Sequence, residues 1–341
     1  MTAAGEDEPA EVVTAAGEDG AADESGELHD VLEQPLLAVI AHVRRRLRAG
    51  APRIALRVAD PDLGRGRYAG EPIVVDGVAR AHRPWRVWIE LADRLGLRLR
   101  TPRALGGGLL RLELELLAQD ARWQRGAPAD PRERYGASSE YQRIAKGEEP
   151  GFLLDLGEAL ARCAVPERAR VLDLGVNDGA ELELMMALAP ALRTAELVGV
   201  DHSASALALA QARLAGADVR WICADLGRLG EHALGRFDLV VSLGTLQSPG
   251  VDDRALLRAV VQDYLTPRGA LIVGLPNCRY LDGELVHGAR IKNLREPELG
   301  LLVRDLAFYR RYLQQHHRRV FVTGHHTMLV TAVPERAARD A

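Results

Sequence analysis

Cysteine, aromatic residues and long apolar runs are scarce in this chain of 341 residues. Its cysteines are Cys163, Cys223 and Cys278, which lie far apart and form no CxxC pair. This argues against a disulfide framework and against a zinc site built on cysteine. No apolar run is long enough to cross a bilayer, and the first residues lack the basic and apolar segments of a signal peptide. We therefore expect a soluble cytoplasmic protein that makes no use of a membrane.

Positive charge is missing from the first 33 residues, which carry eleven acidic side chains. Residues 1–27 are rich in Ala, Gly, Glu and Asp, and the sequence TAAGED occurs in them twice. Such a segment cannot bury enough apolar surface to offset the entropy of ordering, so we predict a disordered acidic tail. Residues 34–149, in contrast, carry 22 basic and 14 acidic residues, a net charge of +8.

Residues 28–125 have the patterns of a small α/β domain. Their apolar spacing predicts a helix at 28–48, a strand at 53–58, a helix at 84–96 and alternating strands between 97 and 117. We expect this accessory domain to bind substrate or to form a homodimer. Residues 126–149 follow as a linker and capping segment.

Residues 150–334 alternate regularly between strand and helix patterns, which predicts a doubly wound, mostly parallel sheet of seven strands. The predicted strands are 170–174, 196–200, 219–223, 237–242, 269–275, 319–323 and 327–333. The last two are joined by too few residues for a helical crossover, so they must pair antiparallel. Residues 335–341 form a C-terminal tail.

The turn after the first of these strands has the sequence LGVNDG, and ligands of such sheets bind at the carboxyl ends of the strands. A dinucleotide fingerprint would need glycine where Asn177 and Ala180 stand, and no Gly-Lys-Ser/Thr follows for a P-loop. Asparagine tolerates the left-handed backbone better than other side chains except glycine. Asn177 therefore modifies the turn without abolishing it.

Five elements in order resemble class I S-adenosylmethionine (SAM)-dependent methyltransferases. They are VLDLGVNDG (171–179), LVGVDHS (197–203), ICADL (222–226), FDLVVSLGTLQS (237–248) and LTPRGALIVGLPN (265–277). The resemblance covers roughly residues 150–333. It implies the fold predicted above, methyl transfer as the activity and SAM as the cofactor.

The resemblance also implies which residues bind that cofactor. Asp173 would meet the ammonium group of SAM, Asp201 the ribose hydroxyls and Asp225 the adenine amino group. Each acid has an alternative role as a helix N-cap, since acids favour strand-to-helix turns. The full predicted set is Asp173, Gly175, Asn177, Gly179, Asp201, His202, Asp225, Leu226 and Ser242.

No catalytic residue is predicted, because methyl transfer depends largely on alignment and on exclusion of water. The fourth strand lacks the Asn/Asp-Pro-Pro-Tyr motif, and Gln247 stands where many relatives place a histidine. Polar residues of 138–152 and of the long connection 276–298 are candidates for the acceptor side. The set is Tyr141, Gln247, Asn277, Arg279 and Tyr280, and Glu284, His287 and Lys292 of the same connection are further candidates.

We expect a small-molecule acceptor. An RNA or protein acceptor held by the basic residues of 28–125 is the alternative, and a SAM-binding scaffold without activity is the third hypothesis. No metal site is predicted. The pairs His316–His317 and His325–His326 are not expected to chelate, because adjacent side chains of a strand point to opposite faces.

Overall fold

The computed structural model describes residues 27–63, 68–75, 77–118, 130–288 and 299–335. The chain divides into two compact units, Met1–Leu116 and Leu117–Ala341. The predicted tails, apart from Glu27 and Glu335, and Lys292 lie outside the described residues, and the predicted domain limits stay predictions. Within the described ranges, no helix is both long enough and apolar enough to pass through a membrane.

The first unit is a small sheet with two helices. Its strands are β1 (Leu28–Asp30), β2 (Arg53–Ala59), β3 (Pro72–Val75), β4 (Val78–Ala81), β5 (Leu97–Leu99), β6 (Arg103–Gly106) and β7 (Leu109–Leu116), and its helices are α1 (Leu36–Arg48) and α2 (Trp85–Leu95). The main sheet has the order β1-β2-β7-β5, with β6 also paired to β7. Helix α2 lies between Pro84 and a left-handed Gly96, as predicted.

The prediction of one helix over 28–48 is wrong at its beginning. Residues Leu28–Asp30 form a parallel pair with β2, and the helix begins only after Pro35. Proline has no amide hydrogen and its ring clashes with the preceding helical turn, so Pro35 can begin the helix but cannot lie inside it. The buried side chain of Val31 then packs with the core of the small sheet.

The second unit contains the predicted seven-stranded sheet. Its strands are β8 (Arg170–Leu174), β9 (Glu196–Asp201), β10 (Val219–Cys223), β11 (Phe237–Leu243), β12 (Leu265–Pro276), β15 (Arg318–Gly324) and β16 (Thr327–Pro334). The helices are α3 (Pro150–Cys163), α4 (Ala180–Leu188), α5 (Ala204–Arg213), α6 (Asp253–Ala259) and α7 (Leu299–Gln315). The order is β10-β9-β8-β11-β12-β16-β15, and only β16 runs antiparallel to its neighbours.

The strand order places β8 at the centre of the sheet beside β11. From there the chain proceeds to β9 on one side and β11 on the other, which makes this a topological switch point. Leu172 and Leu174 of β8 pack on one face and Val171 on the other. The sheet is thus buried on both faces, which fixes the positions of its strand ends.

Two features of this unit differ from the predictions. The helix predicted over 253–264 ends at Ala259 and continues as a π-helical turn, Val260–Tyr264. The connection after β12 begins with a hairpin of β13 (Cys278–Leu281) and β14 (Glu284–His287), where a structureless loop was expected. Asp282 and Gly283 form its turn with φ of 50° and 77°, as a type I′ turn requires.

Candidate functional site

The turn after β8 has a left-handed backbone at three positions, a conformation that glycine adopts readily. Gly175 and Gly179 have φ of 81° and 78°, and Asn177 has φ of 48°. A Cβ atom on Gly175 would overlap the side chain of Thr245. The amides of Gly175 and Val176 donate to the carbonyl of Val200 at 2.8 and 3.1 Å, so the turn is attached to β9.

Asp201 ends β9 and faces this turn. Its Oδ2 accepts a hydrogen bond from the Asn177 amide at 3.0 Å, and its Oδ1 accepts one from the Ser203 amide at 2.9 Å. A carboxylate offers about four lone-pair directions. Asp201 therefore holds the backbone and still has acceptor capacity on the cavity side.

Asp225 follows β10 and both caps a helix and lines the cavity. Its Oδ1 caps the 3₁₀ helix Leu226–His232 by accepting from the Gly227 amide at 2.7 Å. The alternative role weighed for this residue is therefore realised. Asp225 and Leu226 nevertheless line the same cavity as Asp201, so the cap does not remove the carboxylate from the site.

A segment that we call the cap segment, residues 130–149, lies against the turn. It consists of three 3₁₀ helices, Pro131–Tyr135, Glu140–Arg143 and Lys146–Glu148. Asn177 joins it to the turn, because Asn177 Nδ2 donates to the Tyr135 carbonyl at 2.9 Å and Asn177 Oδ1 accepts from Gln142 at 2.8 Å. The amide of Asn177 is thus engaged by protein groups.

The cap segment has a second attachment at the beginning of α5. Glu133 accepts hydrogen bonds from the hydroxyls of Ser203, at 2.9 Å, and Ser205. Ser205 Oγ in turn accepts from the Ala137 amide at 2.8 Å. The hydrogen bonds of the two serines hold the pKa of Glu133 below its usual range, against the effect of burial.

Carboxylates outnumber cations beside the turn. Burial raises the pKa of Asp173 well above that of an ordinary aspartate, and the negative charges of Glu181 and Asp201 add to this effect, while Lys146 opposes it. Lys146 Nζ lies 2.7 Å from Glu181 Oε1. Although burial lowers the pKa of Lys146, Glu181 and Tyr141 raise it well above normal. The lysine is therefore a cation at neutral pH.

Lys146 and Glu181 lie in the wall of a cavity of about 900 Å³ at the carboxyl ends of the strands. Of the residues predicted for the cofactor, it is lined by Gly175, Asn177, Asp201, His202, Asp225 and Leu226. Of those predicted for the acceptor, it is lined by Tyr141, Gln247, Arg279 and Tyr280. One cavity therefore contains most residues of both predicted sets.

Four predicted residues do not line this cavity. Asp173 is buried beneath the turn, and Gly179 is the left-handed N-cap of α4. Ser242 donates its hydroxyl to the Leu174 carbonyl at 3.2 Å. Asn277 donates its side-chain amide to the His325 carbonyl at 3.0 Å. These contacts attach parts of the fold to one another around the cavity.

Several lining residues were not predicted, among them Lys146, Glu181 and Thr245. Lys146 is one of only two lysines in the chain and lies in the segment expected to close over the ligand. Because lysine is so rare in this chain, Lys146 could have been selected as a site candidate from the sequence. Glu181 looked like an ordinary acid of a first helical turn, and its contact with Lys146 spans 35 residues of sequence, which no local pattern reveals.

Part of the second unit is similar to known proteins. Residues 171–269 match the family model described as "Methyltransferase domain". A trans-aconitate 2-methyltransferase from Variovorax paradoxus is 36% identical over 122 residues, which are 36% of this chain and 44% of that protein. A release factor glutamine methyltransferase from Geobacter sulfurreducens is 37% identical over 145 residues, covering 35% of this chain and 48% of that protein.

Among the solved structures that are similar to this chain is a magnesium protoporphyrin IX methyltransferase from Synechocystis with bound SAM. It is 20% identical, with a TM-score of 0.41, and the match covers 62% of this chain and all of that one. The chain spans less than half the length of each curated relative. All matched residues of the family model belong to the second unit.

Proposed function

We propose that this chain is a class I SAM-dependent methyltransferase and transfers the methyl group of SAM to a small-molecule acceptor, since residues 171–269 of its second unit match a methyltransferase domain. The observation that carries the proposal is the cavity of about 900 Å³, which continues from the turn to the predicted acceptor residues. Small-molecule sites usually have volumes of roughly 300–1,000 Å³. The cavity thus has room for a donor and a small acceptor together.

The residues of the site suit SAM, which is a cation at its sulfonium and its ammonium groups. Asp173, Glu181 and Asp201 concentrate negative charge beside the turn, with Lys146 as a cation among them. Glu181, which lines the cavity, would receive the ammonium group, and Lys146 the carboxylate, while Asp173 beneath the turn would reach the ammonium group through water. A cationic ligand would relieve the repulsion that raises the pKa of Asp173.

The remaining part of SAM would be held at the ends of β9 and β10. Asp201 would accept from the ribose hydroxyls with its remaining lone pairs, and Asp225 from the adenine amino group. Hydrogen bonds to a carboxylate are among the stronger ones. When bound, SAM supplies the electrophilic methyl group.

The acceptor would lie against Gln247, Arg279 and Tyr280. Gln247 Nε2 is buried and has no hydrogen-bond partner among the described residues. An unsatisfied buried donor costs about 1–3 kcal/mol, so the site favours an acceptor molecule that brings an oxygen to this position. Arg279 carries positive charge in the same wall, which favours a carbonyl or carboxylate oxygen.

Alignment and exclusion of water are the contributions of the chain to the reaction. The cap segment covers the turn, and two attachments hold it there. One is the hydrogen bond from Asn177 to Tyr135, and the other is the hydrogen bond from Ser203 to Glu133. The hydroxyl of Tyr280 donates a hydrogen bond to Glu149 at the end of the cap segment. This bond joins the acceptor side of the cavity to the cap segment. Holding two reactants in a fixed geometry removes a large part of the entropic barrier to transfer.

The proposal is tested with tritium-labelled methyl-SAM, the purified full chain and a cell extract divided into small-molecule, protein and nucleic-acid fractions. We expect label to enter the small-molecule fraction, and the variant Asp201→Ala to remove that labelling. Label that becomes sensitive to protease or to nuclease would instead support the protein or RNA alternative. Absence of SAM binding by the purified chain would contradict methyl transfer altogether.

A further inference from the structure

Three histidines from two hairpins meet at one end of the second unit. His287 ends β14, and His325 with His326 forms the bend between β15 and β16. One ligand nitrogen of each ring lies within 4.8 Å of the others. The ring centroids of His325 and His326 are 4.2 Å apart, and those of His287 and His325 are 5.6 Å apart.

The bend explains why two adjacent histidines share one side. Neither residue belongs to a strand, so the alternation of side chains between faces does not apply to them. Gly324 has φ of 105°, and a Cβ atom there would overlap the backbone of Thr327. The backbone therefore turns sharply just before the pair, and the premise used against chelation from sequence is wrong here.

Asn277 holds the two hairpins together beneath the rings. Its backbone amide donates to the His326 carbonyl at 2.7 Å, and its side chain donates to the His325 carbonyl at 3.0 Å. Its own carbonyl accepts from the Gly288 amide, next to His287, at 2.8 Å. Asn277 is 6% exposed, so these contacts form a buried support for all three histidines.

We propose that His287, His325 and His326 bind a divalent transition-metal ion of the Zn²⁺ class. Imidazole nitrogen is a preferred ligand of Zn²⁺, Co²⁺, Ni²⁺ and Cu²⁺, whereas Mg²⁺ and Ca²⁺ prefer oxygen. With Zn–N bonds of about 2.0–2.1 Å, tetrahedral ligand nitrogens lie roughly 3.4 Å apart, which small rotations of the three rings can achieve. Three histidines leave one position for water or another ligand.

Metal binding here would fix one wall of the cavity. The β13–β14 hairpin carries Cys278, Arg279 and Tyr280, which line the cavity, and it also carries His287. A metal shared with His325 and His326 would attach this hairpin to the end of the main sheet. The inference does not depend on the identity of the methyl acceptor, nor on methyl transfer.

The test uses the full chain purified without a histidine tag and titrated with Zn²⁺ and Co²⁺. We expect one ion per chain by calorimetry and visible Co²⁺ absorption bands of the strength typical of tetrahedral nitrogen coordination. The triple variant His287→Ala, His325→Ala, His326→Ala should lose both signals. The variant His316→Ala, His317→Ala, which removes the other adjacent pair, should retain them.

Circular dichroism and SAM affinity check that each variant is folded. His325 is exposed, so the single variant His325→Ala should fold in any case. We expect its affinity for Co²⁺ to fall at least about tenfold, since loss even of a group that only supports a ligand weakens metal binding by about 10–100-fold. Unchanged affinity in His325→Ala, or metal binding that persists in a folded triple variant, would overturn the proposal. So would the absence of stoichiometric binding by the wild-type chain.

Discussion

The two sides of the cavity are built in different ways. The turn side consists of residues 174–180 with Asp201 and Asp225, all at the carboxyl ends of adjacent parallel strands. The cap segment has only short 3₁₀ helices and depends on contacts with Asn177, Ser203 and Glu181. The turn side therefore inherits its geometry from the buried sheet, whereas the cap segment is positioned by a few hydrogen bonds. The turn side thus forms the proposed cofactor site, and the cap segment closes it.

The largest expected effect comes from breaking the turn side at Gly175. The variant Gly175→Val places a β-branched residue at φ of 81°, where its side chain would overlap Thr245. Strain of this kind costs about 1–3 kcal/mol, so we expect affinity for SAM to fall on the order of 100-fold. Calorimetry with the purified chain measures this.

The matched control is Gly216→Val, since no heavy atom lies within 4 Å of a Cβ atom built at Gly216. That variant should bind SAM as the wild type does. Equal affinity in Gly175→Val and Gly216→Val would show that the turn does not bind the cofactor.

The second prediction separates the cap segment from the turn side. The variant Asn177→Gly keeps a residue that readily adopts the left-handed backbone but removes the hydrogen bonds to Tyr135 and Gln142. Two neutral hydrogen bonds contribute about 0.5–1.5 kcal/mol each, so we expect roughly tenfold weaker SAM binding. Hydrogen exchange should increase in residues 130–149 and remain unchanged in β8.

An increase of exchange in β8 would show that Asn177 supports the sheet as well. Unchanged exchange in residues 130–149 would contradict the role of Asn177 as the joint between the two sides.

The same contrast explains how much of the site the sequence predicts. The limits of β8 and β10 were predicted without error, because apolar runs that end in an acid or a turn are local patterns. The cap contacts were not predicted, since Gln142 and Lys146 meet residues 35 positions away. The seven-stranded sheet and its antiparallel pair are confirmed.

Other errors had signals in the sequence that were available. Asp282-Gly283 between two apolar segments is the pattern of a two-residue hairpin, and so is Asp76-Gly77, where Gly77 joins β3 and β4 with φ of 74°. Pro35 likewise marked the beginning of α1. The histidine cluster gave no such signal, because it depends on the hairpin that brings His287 to the bend.

The third prediction concerns the charge that the turn side accumulates. Burial, Glu181 and Asp201 raise the pKa of Asp173 in the folded state, so above pH about 3.9 this carboxyl holds its proton more strongly in the folded chain than in the unfolded chain. Without ligand, the contribution of Asp173 to stability must then fall as pH rises from that value toward the raised pKa. We expect Asp173→Asn to raise the melting temperature by a few degrees at pH 8 and by less at pH 4.

The same variant should bind SAM about tenfold more weakly, because it removes a charged partner of the ammonium group. The exposed Asp218→Asn serves as a control in both measurements. If Asp173→Asn were less stable than the wild type at pH 8, the carboxylate would be a net stabilising group, contrary to this account of the turn side.

The smallest effect is expected from the first unit, none of whose described residues lines the cavity. Arg44 and Arg48 are exposed and lie one helical turn apart on α1, where an RNA-binding surface would use them. We expect the double variant Arg44→Glu, Arg48→Glu to retain wild-type turnover of a small acceptor and unchanged, weak retention on immobilised total RNA across a salt series. Charge reversal of two phosphate contacts would instead weaken RNA binding and lower its salt dependence by about two counterions. A small acceptor bound in the second unit should not be affected by the charge of these arginines. A steep salt dependence in the wild type that decreases in the variant would therefore favour the RNA alternative.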